Sequence, residues 1–439
     1  MSNVGANVAL EDMLAQWLPR QRWFPGRGTT VGELAILSDV TLLEGDPELR
    51  HLIIEAHQAH GTARFQVLLG LRGELSPALG EAVIGRMSGR AVYDALHDPE
   101  LSAVLLRGIA GERQEGPLRF VREPGASLRD WPSARRLTAE QSNTSLVFGE
   151  AAIMKVLRRL FPGANPDLEV ADALAKLGSA AVAAPYGWIE TSLHGEPVLL
   201  AVLSEFLAGA SDGWTLALRS RADDSPFTGQ ARELGLATAL LHRDMATAFG
   251  TREMTAAELA ALADTLTAKL AQAVAILPDL SEYAPRIRRA YDDLARQSSP
   301  VMIQRIHGDY HLGQVMRSRH GWVALDFEGE PAAPLAERRA LAPALRDVAG
   351  MLRSFDYAAR HQLVGHPERE ERAGAASTWV AQCQEAFCAG YAAGGGADPS
   401  DQAALLRALT LEKAVYEVIY EYRHRPGWLS IPLDYVAAA

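Results

Sequence analysis

The chain of 439 residues is 48% apolar and 22% charged, has a net charge of −11 and a pI near 5.6. This length allows two or three domains with a substantial core. The acidic balance argues against a nucleic-acid or anionic membrane partner, because either would bind a basic face. Cys383 and Cys388 lie five residues apart, which fits neither a disulfide framework nor a CxxC metal site and predicts a reducing cytoplasm. No signal peptide is indicated in residues 1–16, and no apolar run approaches the roughly 18–20 residues of a membrane span.

The first part of the chain predicts a mixture of helix and strand. An amphipathic helix is predicted at 10–18, and alternating apolar residues predict strands at 52–56 and 65–69. A Pro/Gly turn at 25–28 separates the helix from the strands. Within a weakly patterned stretch further on, the segment 124–132 predicts a domain boundary.

The middle of the chain predicts a hairpin followed by a helix. Two short strands between 145 and 157 flank a turn at Gly149. A helix is predicted at 166–177, with Asn165 as its N-cap and a proline at its first position. A buried strand is predicted at 198–206. Beyond a break at 209–213, helices are predicted at 228–246, 255–275, 284–296, 345–362, 371–392 and 401–424.

One stretch in this helical half carries most of the functional information. An HGD turn ends at Asp309, Gln314 follows five residues later, and Asp326 ends a short apolar run seventeen residues after Asp309. Phosphoryl transfer from a nucleotide needs one carboxylate to orient and deprotonate a hydroxyl, and an amide oxygen and a second carboxylate to hold Mg²⁺. Protein-kinase-like phosphotransferases use H-x-D-x-x-x-x-N and then a DFG-type turn. Here Gln replaces Asn and the turn reads Asp-Phe-Glu; a surface turn followed by an ordinary strand is the alternative.

A polar run before the hairpin is the candidate phosphate loop. Gln141 to Ser145 offers hydroxyls and backbone N–H groups to phosphate oxygens, although by itself the run is also typical of a polar turn. Its candidate nucleotide-binding residues are Ser142, Asn143, Thr144 and Ser145.

Lys155 is the candidate phosphate lysine. A lysine in an apolar strand is costly unless it is paired, and the kinase pattern places such a lysine there. We predict Glu169 as its partner and assign Asp167 a charge at the start of the helix. After the next strand, Glu205 and Leu207 mark a hinge predicted to present backbone groups to adenine. A snorkelling lysine at a strand edge is the alternative.

Two clusters in the helical half are candidates for acceptor binding. Arg346 precedes an aspartate in the first turn of a helix, where an acid is more often a partner of the helix dipole than of a ligand. On the helix after Tyr416, the side chains of Glu417, Tyr420, Glu421 and His424 are predicted to share one face. Together with Trp428 they offer carboxylates for sugar hydroxyls and an aromatic surface for sugar C–H groups. A solvated helix face is the alternative.

Together these residues resemble the actinobacterial maltokinase family, a branch of the aminoglycoside/choline-phosphotransferase group. The similarity extends over nearly the whole chain and includes the QRWFPGRG and LDFEGEP motifs. It is densest at 17–28, 141–145, Lys155, 165–167, 307–314, 325–331, 346–357 and 413–433.

The resemblance implies an α+β fold, bilobal and eukaryotic-protein-kinase-like. Its implied parts are an N-terminal cap subdomain (1–90), a β-rich subdomain completing the nucleotide-binding N-lobe (91–207) and a mostly α-helical C-lobe (208–439). The implied reaction is ATP- and Mg²⁺-dependent phosphorylation of maltose to maltose 1-phosphate by a cytoplasmic monomer or homodimer. By carry-over, Asp309 is the catalytic base and Gln314 and Asp326 are the Mg²⁺ ligands. The resemblance further implies that Glu417 and Trp428 help line the sugar site. The full set of candidate acceptor-binding residues is Asp309, His311, Arg346, Tyr416, Glu417, Glu421 and Trp428.

One departure from the family concerns the sugar rather than the phosphoryl transfer. The family often has an Asp-Ser pair before Pro-Leu-Arg-Asp, whereas residues 340–347 read ALAPALRD. This difference leaves open a glucosamine kinase forming glucosamine 6-phosphate, or another amino-sugar or aminoglycoside phosphotransferase, since Asp309, Glu417 and Glu421 would also suit a cationic amine. A binding module without kinase activity is a further alternative, against which the four retained phosphoryl-transfer residues argue.

Overall fold

The computed structural model describes residues 2–25, 31–58, 61–129, 131, 134–137, 142–297, 299–330 and 333–438. These residues form two compact units. The first unit comprises residues 1–169 and 183–208, and the second comprises residues 170–182 and 209–439. The expectations for Gln141, for residues 26–28 of the Pro/Gly turn and for Pro132 lie outside the described residues.

The first unit begins with a helix packed on an antiparallel sheet. The elements are α1 (Ser2–Trp17), β1 (Leu34–Leu43), β2 (Glu48–Gln58), β3 (Gly61–Arg72), β4 (Val83–Met87) and β5 (Arg90–Asp94), with strand order β1-β2-β3-β5-β4. Leu10, Leu14 and Trp17 recur at helical spacing and pack in one core with Phe24 and Phe65. The predicted helix and both predicted strands are confirmed.

A second sheet completes the first unit. Its elements are α2 (Pro99–Ala110), β6 (Gln114–Glu115), β7 (Leu118–Arg122), β8 (Ala134–Arg136), β9 (Asn143–Phe148), β10 (Ala152–Leu157), β11 (Arg159–Leu160), α3 (Pro166–Lys176), β12 (Pro185–Leu193) and β13 (Glu196–Glu205). The strand order is β6-β7-β12-β13-β10-β9-β8, while β11 pairs with β3 of the first sheet. Helix α3 continues into the second unit.

Local signals account for the elements around the predicted hairpin. Strands β9 and β10 pair antiparallel, and Gly149 and Glu150 between them have φ of 54° and 53°, the left-handed values that a tight hairpin turn requires. Asn165 caps α3 by accepting hydrogen bonds from the N–H groups of Asp167 (2.9 Å) and Leu168 (3.2 Å). The hairpin, the cap and the strand at 198–206 are confirmed. Helix α2 was not predicted, although Asp98 caps its start and a proline occupies its first position.

The second unit is mainly helical. Its helices beyond α3 are α4 (Gly213–Ala222), α5 (Thr228–Phe249), α6 (Ala256–Ile276), α7 (Ala284–Ala295), α8 (Leu335–Arg338), α9 (Leu345–His361), α10 (Arg369–Ala393), α11 (Ala403–His424) and α12 (Ser430–Ala438). Short strands form two small sheets, β14 (Ser211–Asp212) with β17 (Val315–Ser318) and β18 (Gly321–Ala324), and β15 (Thr251–Glu253) with β16 (Met302–Gln304) and β19 (Ala342–Pro343). The helices predicted from 228 onward are confirmed; α4 begins where only a break was expected.

Helix α6 is long and apolar enough to cross a membrane by length and composition. Its Leu259, Leu266 and Leu270 nevertheless belong to the hydrophobic core of the second unit. Lys269, on the same helix, forms an ion pair of 2.7 Å with Glu412 of α11. We therefore assign α6 to the core of this unit.

Candidate active site

A hairpin brings Gln314 and Asp326 together although they lie twelve residues apart. Strands β17 and β18 pair Val315 with Ala324, and the N–H of Leu325 donates to the carbonyl of Gln314 at 2.9 Å. As a result, the Gln314 amide lies 3.4 Å from the Asp326 carboxylate. An amide can turn its oxygen where its nitrogen is placed, so this pair can offer two oxygen ligands to one cation.

The backbone at Asp326 is strained. Its φ of +64° lies in the left-handed region, which costs energy for a residue with a side chain. Such strain is more common at functional sites than elsewhere. With Gln314 beside it, Asp326 has the oxygen chemistry that Mg²⁺ prefers, and the residues present therefore fit the metal predicted from the sequence.

The loop between β16 and β17 presents Asp309. The ring of His307 connects this loop to the Asp326 segment: its Nε2–H donates to the carbonyl of Leu325 at 2.8 Å, and its Nδ1 accepts from the N–H of Asp309 at 3.4 Å. The Nε2 atom of His311 lies 3.8 Å from the Asp309 carboxylate. The HGD turn and the second acid, separate in sequence, are thus parts of one hydrogen-bonded assembly.

One face of helix α9 contacts the backbone of this loop. The carboxylate of Asp347 accepts from the N–H groups of His307 (2.8 Å) and Gly308 (2.9 Å). One turn later Gly350 lies so close that a Cβ there would stand 2.6 Å from the carbonyl oxygen of Tyr310. Asp347 and Gly350 are one helical turn apart and so lie on the same face of α9, which allows this one helix to contact consecutive residues of the loop.

Asp347 was expected to be a partner of the helix dipole, and this interpretation is incomplete. Its side chain is 1% exposed and also contacts Nε2 of His242 at 3.0 Å. Burial opposes ionisation, but the hydrogen bonds from His242 and from the Gly308 N–H, with the electrostatic influence of the two neighbouring imidazoles, outweigh it, so that the pKa of Asp347 lies below its usual range. Asp347 is therefore an ionised anchor of the catalytic loop.

Lys413 is the site residue that sequence reasoning missed. Its ammonium group lies 3.2 Å from the Asp309 carboxylate and 3.7 Å from that of Glu330. The hydroxyl of Tyr416 donates to Glu330 at 2.7 Å, which completes the cluster. Partial burial opposes the charge, yet Asp309, Glu330 and Glu417 together raise the pKa of Lys413 above its ordinary value. The spacing of Lys413 and Tyr416 on α11 was the available signal, but nothing local pointed to Asp309.

We expect Lys413→Met to lower kcat/KM for the acceptor by about 10- to 100-fold without changing the KM for nucleotide. The reason is that a charge-assisted hydrogen bond contributes about 1.5–3 kcal/mol, and without it Asp309 loses the cation that holds it. Steady-state kinetics with both substrates varied checks this, with Lys413→Arg as the partial rescue. Lys176→Met, which removes a lysine that is 66% exposed, is the control. Wild-type parameters in Lys413→Met would show that the lysine does not position Asp309.

A cavity of about 1020 Å³ in the second unit opens on Asp309. Charged residues of both signs line it, so it is not an acidic pocket. Its lining includes Lys269, Asp309, Glu330, Arg346, Glu412, Lys413, Tyr416, Tyr420, Arg423 and His424. Arg346 contacts Glu412 at 2.5 Å in one wall. Of the predicted acceptor residues, this cavity brings together Asp309, Arg346 and Tyr416.

The other predicted acceptor residues lie in ion pairs and aromatic contacts that the sequence did not reveal. Glu417 contacts Arg353 at 2.7 Å, and Glu421, 1% exposed, contacts Arg425 at 2.7 Å. The ring of Trp428 lies under the Arg425 guanidinium, 4.5 Å from the ring centroid. These three residues are not among the described residues that line the cavity. The carboxylates of Glu417 and Glu421 are each paired with an arginine. The predicted role of all three in acceptor binding, like that of His311 beside Asp309, stays a prediction.

The predicted nucleotide lysine lies on a central strand of the first unit. Lys155 of β10 stands between Ser145 of β9 and Val202 of β13, and its ammonium contacts the Asp167 carboxylate at 3.4 Å. Asp167, which was assigned only a charge at the helix start, is therefore an ion-pair partner of the lysine. The preference for Glu169 stays a prediction.

The candidate phosphate run is mostly strand rather than loop. Strand β9 begins at Asn143, and Thr144 and Ser145 are buried, with Thr144 accepting a hydrogen bond from Arg158 at 2.9 Å. The Thr144 hydroxyl is already used by Arg158, and a role of the Thr144 and Ser145 hydroxyls toward phosphate stays a prediction. Ser142 is exposed and Asn143 is half-buried.

The hinge predicted for adenine follows the end of β13. The N–H groups of Glu205 and Phe206 donate to the carbonyls of Ala184 (2.8 Å) and Ala151 (3.0 Å). These two donors are therefore used within the first unit, and a role of Glu205 and Leu207 toward adenine stays a prediction.

Comparison with known proteins matches two family models along the chain. Residues 17–98 match the maltokinase N-terminal cap domain, and residues 133–396 match the phosphotransferase enzyme family. The chain is 32% identical over 331 residues to a glucosamine kinase of Streptacidiphilus jiangxiensis, covering 71% of this chain and 75% of that protein. It is 30% identical to a glucosamine kinase of Mycolicibacterium smegmatis, covering 70% and 80%.

Solved structures give a likeness over almost the full length. A glucosamine kinase in complex with glucosamine, ADP and inorganic phosphate is 27% identical, with a TM-score of 0.66 and coverage of 96% of this chain and 97% of that one. A second crystal form of glucosamine kinase has a TM-score of 0.69 at 26% identity, with coverage of 96% and 97%.

Proposed function

This chain belongs to the phosphotransferase enzyme family and is an ATP-dependent sugar kinase, and we propose that its acceptor is glucosamine, phosphorylated to glucosamine 6-phosphate. The observation that carries the choice of acceptor is the likeness to glucosamine kinases over 96% of the chain, including the cap. The catalytic loop supports the phosphoryl transfer independently, because it joins Asp309, Gln314 and Asp326 in one assembly.

In the proposed mechanism Asp309 acts on the acceptor hydroxyl. The hydroxyl oxygen forms a bond to the γ-phosphorus of ATP, the bond from that phosphorus to the β,γ-bridging oxygen breaks, and ADP leaves. The hydroxyl proton passes to the Asp309 carboxylate, while Lys413 holds that carboxylate in place. Lys155 would neutralise charge on the α- and β-phosphates. Gln314 and Asp326 would hold Mg²⁺, which supplies charge neutralisation at the phosphates when bound.

Maltose is the second candidate acceptor. It is supported by the match of residues 17–98 to the maltokinase cap domain.

The test is ADP release by the purified protein with Mg·ATP and equal concentrations of glucosamine, maltose, glucose and kanamycin. Selective turnover of glucosamine supports the proposal. Selective turnover of maltose assigns the enzyme to the second candidate, and selective turnover of kanamycin assigns it to the aminoglycoside phosphotransferases. Asp309→Asn, assayed in parallel, measures ADP release that does not depend on the catalytic site.

We expect Asp326→Asn to remove most of the Mg²⁺-dependent part of nucleotide binding. A ligand present at 100 times its Kd stabilises a protein by about 2.7 kcal/mol, so a loss of metal affinity reduces the increase in Tm that Mg·ATP causes. Thermal unfolding with ATP, with and without Mg²⁺, measures this difference. Asp264→Asn, an exposed aspartate of α6, should behave like wild type. An unchanged Mg²⁺-dependent shift in Asp326→Asn would remove that residue from the proposed metal site.

The remaining expectations are part of the same proposal. We propose a cytoplasmic monomer or homodimer that acts on a small-molecule acceptor and needs neither a nucleic-acid nor a membrane partner. The division into a cap (1–90), a β-rich part of the N-lobe (91–207) and a helical C-lobe (208–439) is proposed with it.

A further inference from the structure

Two carboxylates share one ammonium group at the proposed catalytic base. The Nζ atom of Lys413 lies 3.2 Å from Oδ1 of Asp309 and 3.7 Å from Oε2 of Glu330. The other oxygen of Glu330, Oε1, accepts a hydrogen bond of 2.7 Å from the hydroxyl of Tyr416. All four residues line the cavity that opens on Asp309. Glu330 is therefore anchored through one oxygen and faces Lys413 with the other.

Close backbone contact fixes Glu330 relative to the catalytic loop. A Cβ at Gly308, the residue before Asp309, would stand 3.3 Å from Cα of Gly329, the residue before Glu330. Both glycines have a positive φ, +86° and +72°, at which a side chain is disfavoured. The segment that carries Glu330 and the loop that carries Asp309 thus pack directly against each other. The backbone therefore holds both carboxylates within reach of the same ammonium group.

The proposed reaction changes the charge of one member of this group. As the acceptor hydroxyl attacks the γ-phosphorus, its O–H bond breaks, the proton binds Asp309, and this carboxylate becomes neutral. Burial opposes the charge of Lys413, but Asp309, Glu330 and Glu417 raise its pKa above the ordinary value, so the lysine stays protonated.

A partly buried ammonium group is costly when no carboxylate remains beside it. Glu417 pairs with Arg353. Glu330, in contrast, already lies within ion-pair distance of Lys413 and takes no part in the proton transfer. It can therefore serve as the counter-ion of the lysine when Asp309 is neutral.

We propose that Glu330 is a positioning residue that takes over the ammonium group of Lys413 as Asp309 accepts the proton. Before the transfer the ammonium lies closer to Asp309 and orients it. During the transfer it moves toward Oε2 of Glu330, and a shift of about 1 Å gives the roughly 2.8 Å of a charge-assisted hydrogen bond. An interaction that is stronger in the transition state than in the ground state raises kcat. This inference rests on the proposed sugar kinase function and holds for either candidate acceptor.

The test is a double-mutant cycle between Glu330 and Lys413, measured as ADP release with nucleotide and acceptor both varied. We expect Glu330→Gln to lower kcat by about tenfold with little change in either KM, because a charge-assisted hydrogen bond formed in the transition state is lost. When Glu330→Gln is added to Lys413→Met, kcat should fall by less than about twofold further, since the group through which Glu330 acts is absent.

Two further variants define the controls. Glu330→Asp keeps the charge and should retain more activity than Glu330→Gln. It also replaces Glu330→Gln in the cycle if the latter fails to fold, which thermal unfolding detects. Glu253→Gln makes the same chemical change on an exposed residue of β15 and should match wild type.

Three results would overturn the inference and leave the proposed function intact. Losses that multiply in the double variant would show that Glu330 acts independently of Lys413, as a merely structural residue would. A higher acceptor KM at unchanged kcat would make Glu330 a ligand of the acceptor instead. Wild-type kinetics in Glu330→Gln would remove the residue from the mechanism. Absence of ADP release by the wild-type protein with every sugar is a different result, because it overturns the proposed function and the inference with it.

Discussion

Replacing Asp309 with asparagine lowers kcat by about 10²- to 10⁴-fold, the usual contribution of a positioned general base. Asparagine keeps the size of the side chain but cannot accept the hydroxyl proton. We expect Tm to change little, because the variant does not leave Lys413 unpaired: its ammonium also lies 3.7 Å from Glu330. The measurement is ADP release under saturating nucleotide and acceptor.

Two comparisons make this result specific to catalysis. The increase in Tm caused by Mg·ATP should be retained in Asp309→Asn, since the proposed phosphate and metal ligands are unchanged. Asp264→Asn makes the same chemical change on an exposed helix surface and should leave kcat unaltered. Near-wild-type turnover by Asp309→Asn would rule out this carboxylate as the base.

Asp347→Ala should both destabilise the second unit and disable the catalytic loop. The substitution leaves the buried N–H groups of His307 and Gly308 without their acceptor and removes a contact of His242. Each buried donor left unsatisfied costs about 1–3 kcal/mol, so we expect a loss of about 3 kcal/mol or more and a large fall in kcat. Urea unfolding and ADP release measure the two effects.

A single-bond control on the same helix defines the scale. Ser354→Ala removes one hydrogen bond, which its Oγ accepts from the N–H of Leu312 at 3.0 Å. It should therefore cost about 1 kcal/mol and leave more activity than Asp347→Ala. Equal effects of the two substitutions would contradict a special role for Asp347.

The contribution of Asp347 also has a defined pH dependence. Its folded-state pKa is lower than that of an unfolded aspartate, about 3.9. Stability from a depressed carboxyl pKa is fully present above the unfolded value and is lost as pH falls through the folded one. The difference in stability between wild type and Asp347→Ala should therefore be largest near pH 7 and shrink below about pH 4. A difference that grows on acidification would contradict this assignment.

The sequence predicted the elements whose signals are local. The hairpin around Gly149, the cap at Asn165 and the long helices from 228 onward follow from turn chemistry, capping and helical periodicity. The likeness to solved glucosamine kinases confirms the predicted kinase-like fold with its cap. Helix α4 was missed because its sequence shows weak periodicity and begins in a glycine-containing break, and α2 was missed although Asp98 caps its start.

The same distinction between local signals and long-range packing applies to the candidate site. The sequence predicted Asp309, Gln314 and Asp326 as one group, because all three lie in one loop and the hairpin that follows it. The sequence did not predict Lys413 as a partner of Asp309. The two residues are 104 positions apart, and only the packing of α11 against the loop brings them into contact.

The sequence by itself therefore determined the proposed chemistry, through short-range motifs that carry the proposed carboxylate base, the proposed oxygen ligands and a strand lysine. Tertiary structure alone decided which charged groups are free to act. It paired Glu417 with Arg353, buried Thr144 and Ser145, and placed Tyr416 and Tyr420 along the cavity that opens on Asp309. The physical reason is that a motif specifies backbone conformation over a few residues, whereas the direction and partner of a side chain depend on elements that meet only when the chain has folded.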